Sequence, residues 1–469
     1  MESRTNNNKF LFYLIFLCLL YPLIHGLFVY TIVIFSQIVL NVESPYLNLA
    51  LLAWKETALL IIFFFLLKSK FQNKYDIIIL IVFFLLFLLG TVRFIKDIFI
   101  PAMLVYIVLD YRNDIKKVVI ENKKYIKNFI FLICFTTILF SVLELLYRSL
   151  NNINSNTYFD FNYLLALNKI KCSKSYITSS LEMYDICIYS GIPNFYKILI
   201  EGQQFIAKNV LFMPVGDSAT LSYVFLYLIL ILIFFKNHKL FVESKIDLIL
   251  FLLMICQIYT FNRANIICTL IIYFYYCYEN RNLILASPII ILFIYHFKSI
   301  FLSIFDSRIP SNIGHTESYQ KLLENSNPNY FNIIDINNVL IVMLVFLAAI
   351  FLIVKTKISK KKLYVIISIF TILFIFFLNI PISIYGTNLP TPTESNYLKI
   401  IYNFGFVGTV LYIYILTELA YNINEQSFYV KILSLNLLAY QFIAPYVISG
   451  FVVFMPAILV LALFKQKIN

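Results

Sequence analysis

Time after time the chain runs for several helical turns through Leu, Ile, Phe, Val and Tyr with almost no charge, as in Ala219–Phe235, Leu283–Ile304 and Leu363–Phe377. Inside hydrocarbon, backbone amides and carbonyls have no water to bond, so an apolar run of about 17–25 residues is stable there only as a helix. The charge supply matches this. Only 13% of the 469 residues are charged and 61% are hydrophobic, whereas soluble globular chains carry about 25% charged residues. At roughly 30–35 residues per span and loop, the length accommodates about 12–14 spans. The expected fold class is therefore all-α: a polytopic integral membrane protein, one membrane domain over 1–469. Soluble enzymes, nucleic-acid binders and membrane β-barrels are excluded.

The first apolar run extends from Phe10 to Leu40 behind a polar start, with no small-residue cleavage pattern, and is expected to be an uncleaved span. Further expected spans are Leu47–Leu67, Ile77–Val92, Ile98–Leu109, Phe129–Leu146, Ala219–Phe235, Ile246–Tyr259 and Ala264–Tyr278. After these come Leu283–Ile304, Val339–Val354, Leu363–Ile380 and Tyr397–Leu419. Ile98–Leu109 is short enough to be re-entrant. Ile432–Phe464 is too long for one helix, and Pro445 and Gly450 divide it in two.

Net charge of +13 bears first on topology. Cytoplasmic loops hold the excess of Lys and Arg, and with the N-terminus inside most of the 37 basic residues fall in cytoplasmic segments. Lys116, Lys117, Lys123 and Lys124 mark one such loop; Lys355, Lys357, Lys360, Lys361 and Lys362 mark another. Both termini come out cytoplasmic. Two larger segments, 148–218 and 305–338, and a shorter one, 381–396, then face outside.

Short basic cytoplasmic loops leave no room for a nucleotide-binding domain. No CxxC, HExxH or carboxylate cluster has metal-ligand spacing, so neither a metal nor another cofactor is expected. Five of seven cysteines lie in apolar runs, where a thiol packs as a small hydrophobe. Cys172 and Cys187 share the large outside segment; a disulfide and two separate thiols are equally open there.

Ionisable groups at the outside ends of spans are the informative class, because burying them is costly. Arg263, in Tyr259-Thr260-Phe261-Asn262-Arg263-Ala264-Asn265, is either a snorkelling side chain or an anion clamp, its planar fork matching phosphate. Arg308 binds headgroups, pairs with Asp306 or serves as a second clamp. His315, in Gly314-His315-Thr316, is a solvated histidine or a catalyst. Glu394, just before the Tyr397 span, suits the helix macrodipole without catalysis, or it is a base. Asp217 next to Gly216 is a helix cap or a site residue, and Lys55 beside Glu56 is an ion pair or the lining of a polar pocket. Gly405 and Gly408, two of only ten glycines, suggest close helix packing.

Taken in order, three of these segments resemble the O-antigen ligase and O-antigen polymerase superfamily. Thr260-Phe261-Asn262-Arg263-Ala264 is similar to its T-x-S-R-G/A signature. The segment opening Asp306-Ser307-Arg308 with Gly314-His315 resembles its large periplasmic loop. Glu394-Ser395-Asn396-Tyr397-Leu398 followed by Gly405-Phe406-Val407-Gly408 resembles the pattern leading into a late helix. The likeness covers roughly residues 210–420. Two departures stand out: Asn262 replaces the usual Ser, and an apolar hairpin, Val339–Ile380, separates His315 from Glu394.

The resemblance implies polymerisation of undecaprenyl-diphosphate-linked oligosaccharide repeat units, for O-antigen or a capsular polysaccharide, by metal-independent glycosyl transfer at the periplasmic face of the bacterial inner membrane. It implies that Arg263 and Arg308 hold the diphosphate, and that Glu394, with His315 behind it, deprotonates the acceptor hydroxyl. Expected partners are the lipid-linked donor, the bilayer and a polysaccharide chain-length regulator, with no nucleic acid. The alternatives are an O-antigen ligase acting on lipid A core and, in another class, a lipid-linked oligosaccharide flippase. Topology is the first test. Single cysteines at Asn154, Asn327 and Asn388 should react with a membrane-impermeant thiol reagent from the periplasm. Cytoplasmic labelling at two of the three would remove the shared outside site.

Overall fold

Wherever the structure describes an apolar run, that run is helical. The computed structural model describes residues 2–24, 57–66, 98–150, 218–239, 243–258, 263–280, 286–295, 359–377, 396–423, 427–443 and 451–464, and among them there is no strand. The helices are α1 (Glu2–Ile24), α2 (Thr57–Leu66), α3 (Ile100–Asp110), α4 (Arg112–Glu121), α5 (Lys123–Leu150), α6 (Ser218–Asn237) and α7 (Glu243–Ile258). They continue with α8 (Arg263–Glu279), α9 (287–295), α10 (Lys360–Phe377), α11 (Asn396–Asn422), α12 (Phe428–Ile443) and α13 (Phe451–Phe464). Lys123–Leu143 and Phe404–Asn422 are long and apolar enough to cross a membrane, and seven shorter apolar stretches accompany them. The expected span Ile77–Val92 and the pair Cys172 and Cys187 lie outside the described residues.

Several expected loops are helical instead. The polar N-terminal extension is already part of α1. The basic segment after residue 110 is α4, set off from α5 by the single turn residue Asn122, whose side-chain amide donates to the Val118 carbonyl at 2.9 Å. Ile115, Val118 and Val119 of α4 are buried while Lys117 and Glu121 pair on its outer face. That is amphipathic spacing which a count of basic residues does not register. At 11 residues α3 is about 16 Å long, half of a ~30 Å hydrocarbon core. Pro101 fits its first turn, where a missing N–H has no bond to lose. Of residues 432–464, the described ones belong to two helices, α12 up to Ile443 and α13 from Phe451.

The chain divides into two compact units. One comprises 1–11, 60–116 and 306–469. In it α11, α12, α13 and α3 pack in a closed ring, each against the next, and α10 lies against α11. α13 is buried all round from Phe454 to Leu463, and α3 nearly so; helices hydrophobic on every side belong in such interiors. The other unit comprises 12–59 and 117–305. There α6, α7 and α8 pack mutually and α5 lies against α7. α6 is buried continuously from Ser222 to Phe235. The cysteines of the apolar runs, Cys18, Cys134, Cys256, Cys268 and Cys277, are all buried thiols.

Two further helices, α5 and α10, are apolar on their exposed as well as their buried faces. On α5, Thr137 and Ser141 are fully buried while Leu132, Phe135, Leu139, Val142 and Leu146 are exposed. On α10, Thr371 is buried while Val365, Ile369, Ile372 and Leu373 are exposed. The buried hydroxyls bond their own helices: Thr137 to the Ile133 carbonyl at 2.6 Å, Ser141 to Thr137 at 2.7 Å and Thr371 to Ile367 at 2.8 Å.

α11 breaks its helix at Gly405, whose φ of 58° is a left-handed conformation that side chains disfavour. The Gly405 carbonyl is taken up by the Thr409 hydroxyl at 2.7 Å. The kink turns Phe404 back over Gly408, where an added Cβ would collide with the Phe404 Cβ. The close approach expected of this glycine pair is thus within one helix. Gly→Ala in a helix normally stabilises by about 1 kcal/mol. Gly408→Ala should instead lower the melting temperature of the detergent-solubilised protein. Adding Phe404→Ala, which keeps the colliding Cβ, should not restore it, whereas Phe404→Gly should.

Candidate functional site

In the unit holding residues 12–59 and 117–305, α6 and α7 form a tight antiparallel pair. Its turn is closed by His238 N–H to the Phe234 carbonyl (3.1 Å) and Lys239 N–H to the Lys236 carbonyl (2.9 Å), with Lys239 at a φ of 51°. That left-handed residue is a common way to end a helix. α8 returns from the far end of α7, so the start of α6, the end of α7 and the start of α8 lie at one end of the three-helix group. Arg263 is the first residue of α8.

Directly below it lies a buried polar network. Asn265 donates from Nδ2 to Ser222 Oγ at 2.5 Å, tying α8 to α6. Gln257 donates from Nε2 to Thr269 Oγ1 at 3.2 Å, tying α7 to α8. Thr269 in turn donates to the Asn265 carbonyl at 2.5 Å. All four residues are 0% exposed. Among apolar helices such bonds locate one helix against another, because a shift of one turn would leave polar groups in an apolar surround. They hold in place the turn of α8 that follows Arg263.

The opposite end is clamped electrostatically. Lys236 Nζ meets Asp247 Oδ1 at 2.8 Å, the Tyr276 hydroxyl donates to the same oxygen, and the ammonium lies 4.9 Å from the Tyr276 ring centroid. One carboxylate therefore joins α6, α7 and α8. In the other unit, Glu418 of α11 is 3% exposed and pairs with Lys360 at the head of α10, with the Tyr414 hydroxyl also on its carboxylate. Both clusters pair charge completely enough to be structural. Among the described residues no three His, Cys, Asp or Glu side chains come together.

Of the residues singled out from sequence, Arg263 alone falls on described backbone. Glu394, His315, Arg308, Asp217 and Lys55 lie outside the described residues, and α11 begins two residues after Glu394. Of the four buried network residues, only Asn265 belongs to the segment singled out around Arg263; Gln257 and Thr269 lie six residues to either side of the arginine, and Ser222 lies 41 residues before it. No protein-family model, no curated protein and no solved structure matches the chain.

The network is testable by coupling. Ser222→Ala and Asn265→Ala should each destabilise the protein, and the double variant by less than their sum. The expected interaction energy is about 1 kcal/mol, read from denaturation in detergent micelles. Strict additivity would mean the bond does not hold α8.

Proposed function

We propose that this chain is a polytopic inner-membrane enzyme that polymerises undecaprenyl-diphosphate-linked oligosaccharide repeat units at the periplasmic face. The observation that carries the membrane part is the exposed face of α5 and α10, where Leu, Ile, Val and Phe stand outward although the buried face is largely apolar too. In water an exposed apolar stripe of that length is an aggregation surface; in lipid it is the ordinary outer face of a span.

The enzymatic part rests on the ordered motifs around Arg263, Arg308 and Glu394. The position of Arg263 supports it: the residue opens a helix whose next turn is tied to two neighbours by Asn265 and Thr269. A guanidinium carried there stands on a rigid base, which electrostatic stabilisation of a leaving diphosphate requires. Arg308 supplies the second clamp. Glu394 takes the proton of the acceptor hydroxyl as it attacks the anomeric carbon, and the lipid diphosphate departs with the bonding pair, so neither metal nor nucleotide is consumed. A ligase would use the same chemistry with lipid A core as acceptor.

A lipid-linked oligosaccharide transporter is the second reading, favoured by the buried carboxylate Glu418, since charges within spans often mark translocation paths. Glu418 lies one turn from the end of α11 and is already paired with Lys360, whereas transporter sites lie near the midplane. The first reading is therefore preferred.

Purified protein, defined lipid-linked donor and a gel assay of added repeats separate them. Glu394→Gln should accumulate and bind donor yet extend chains about 100-fold more slowly or worse. Arg263→Lys should fail nearly as badly as Arg263→Ala, by about 2–4 kcal/mol of transition-state stabilisation, because a point charge lacks the planar fork. Wild-type ladders from all three variants would overturn these residue roles, and no ladder from the wild-type protein would overturn the enzymatic reading.

A further inference from the structure

α5 and α10, one in each unit, share a surface pattern. On α5 the exposed positions Lys124, Asn128, Leu132, Phe135, Leu139 and Val142 recur at steps of three and four, forming one continuous face. On α10 the exposed Lys361, Val365, Ile369 and Ile372 repeat the first three of those spacings. Each face begins with a lysine and then presents apolar side chains, after two turns on α5 and one on α10, that are more than half exposed at their widest: Phe135 at 65% and Ile372 at 62%.

From Leu132 to Val142 is about 15 Å along the axis, the depth of one leaflet of a ~30 Å core. Lys124 stands about 12 Å beyond Leu132, at headgroup distance.

These lysines are not placed for the protein's own stability. Both helices lack an acidic residue in the first turn, and positive charge at a helix start opposes the macrodipole. Lys117 pairs with Glu121 and Lys360 with Glu418, but Lys124 and Lys361 make no ion pair among the described residues. Lys123 stands exposed beside Lys124, and Lys360 and Lys362 beside Lys361, so each exposed apolar face opens on a cluster of lysines.

We infer that each face binds an anionic phospholipid of the cytoplasmic leaflet, with the phosphate on Lys124 or Lys361 and an acyl chain along the apolar residues beneath. The occupant follows from charge complementarity on both helices and, on α5, from the single-leaflet length of the face. The inference rests on the membrane part of the proposed function and is independent of glycosyl transfer.

Alkaline carbonate extraction comes first: release of the protein from membranes would overturn the membrane reading and this inference together. For protein that stays, native mass spectrometry in detergent compares retained dioleoylphosphatidylglycerol with dioleoylphosphatidylcholine. Wild type should favour phosphatidylglycerol, and Lys124→Gln and Lys361→Gln should each lower that preference about fivefold. Lys117→Gln, an equal loss of charge at a paired lysine, should leave it nearly unchanged. Equal retention of the two lipids by wild type would overturn the lipid sites alone, as would a Lys117→Gln effect equal to that of Lys124→Gln, which is a response to net charge only.

Discussion

Helices with apolar faces on every side have no hydrophobic reason to choose one neighbour over another, and this protein answers with a few buried polar bonds. Ser222 to Asn265 and Gln257 to Thr269 bind the three helices of one group at the Arg263 end, and Asp247 with Lys236 and Tyr276 binds them at the other. Between these ends α6 is smooth from Tyr223 to Phe235 and would slide or rotate freely if packing alone held it. Each bond contributes on the order of 1 kcal/mol. Their greater effect is on specificity, because a wrong register leaves amides and a carboxylate facing hydrocarbon side chains.

The ring of α3, α11, α12 and α13 reaches a definite shape differently. Gly405 breaks α11, and the absence of a side chain at Gly408 lets Phe404 fold back against the helix that carries it. Its polar bonds include the Glu418–Lys360 pair, the Thr409 bond at the break and the Tyr111 hydroxyl at the end of α3, which donates to the Leu66 carbonyl at 2.9 Å. Rings finish the contact between α12 and α13, where Tyr429 and Phe464 lie 5.2 Å apart.

Much of this was legible. Apolar runs located some helices to within a few residues, as with Ala219–Phe235 against Ser218–Asn237 and Tyr397–Leu419 against Asn396–Asn422, whereas α1 and α5 begin six to eight residues before their runs, at Glu2 and Lys123. The amphipathic α4 was not, because a basic stretch reads as a loop until its buried positions, Ile115, Val118 and Val119, are seen to share a face. For the candidate site, sequence order singled out Arg263 through the motif around it. The network of polar residues supporting it escaped because each alone is an unremarkable Ser, Asn, Gln or Thr in an apolar helix.

Sequence alone determined that the apolar runs are helical among the described residues, since local composition decides whether a backbone must bond itself. It also determined which ends carry the lysines. Only the tertiary structure decided which way each helix faces: that Thr137, Ser141 and Thr371 turn inward while Phe135 and Ile372 turn outward. An apolar helix looks alike from every side in sequence. Its orientation is chosen by the partners available to its few polar atoms, and those partners lie on other helices, as Ser222 does 43 residues from Asn265.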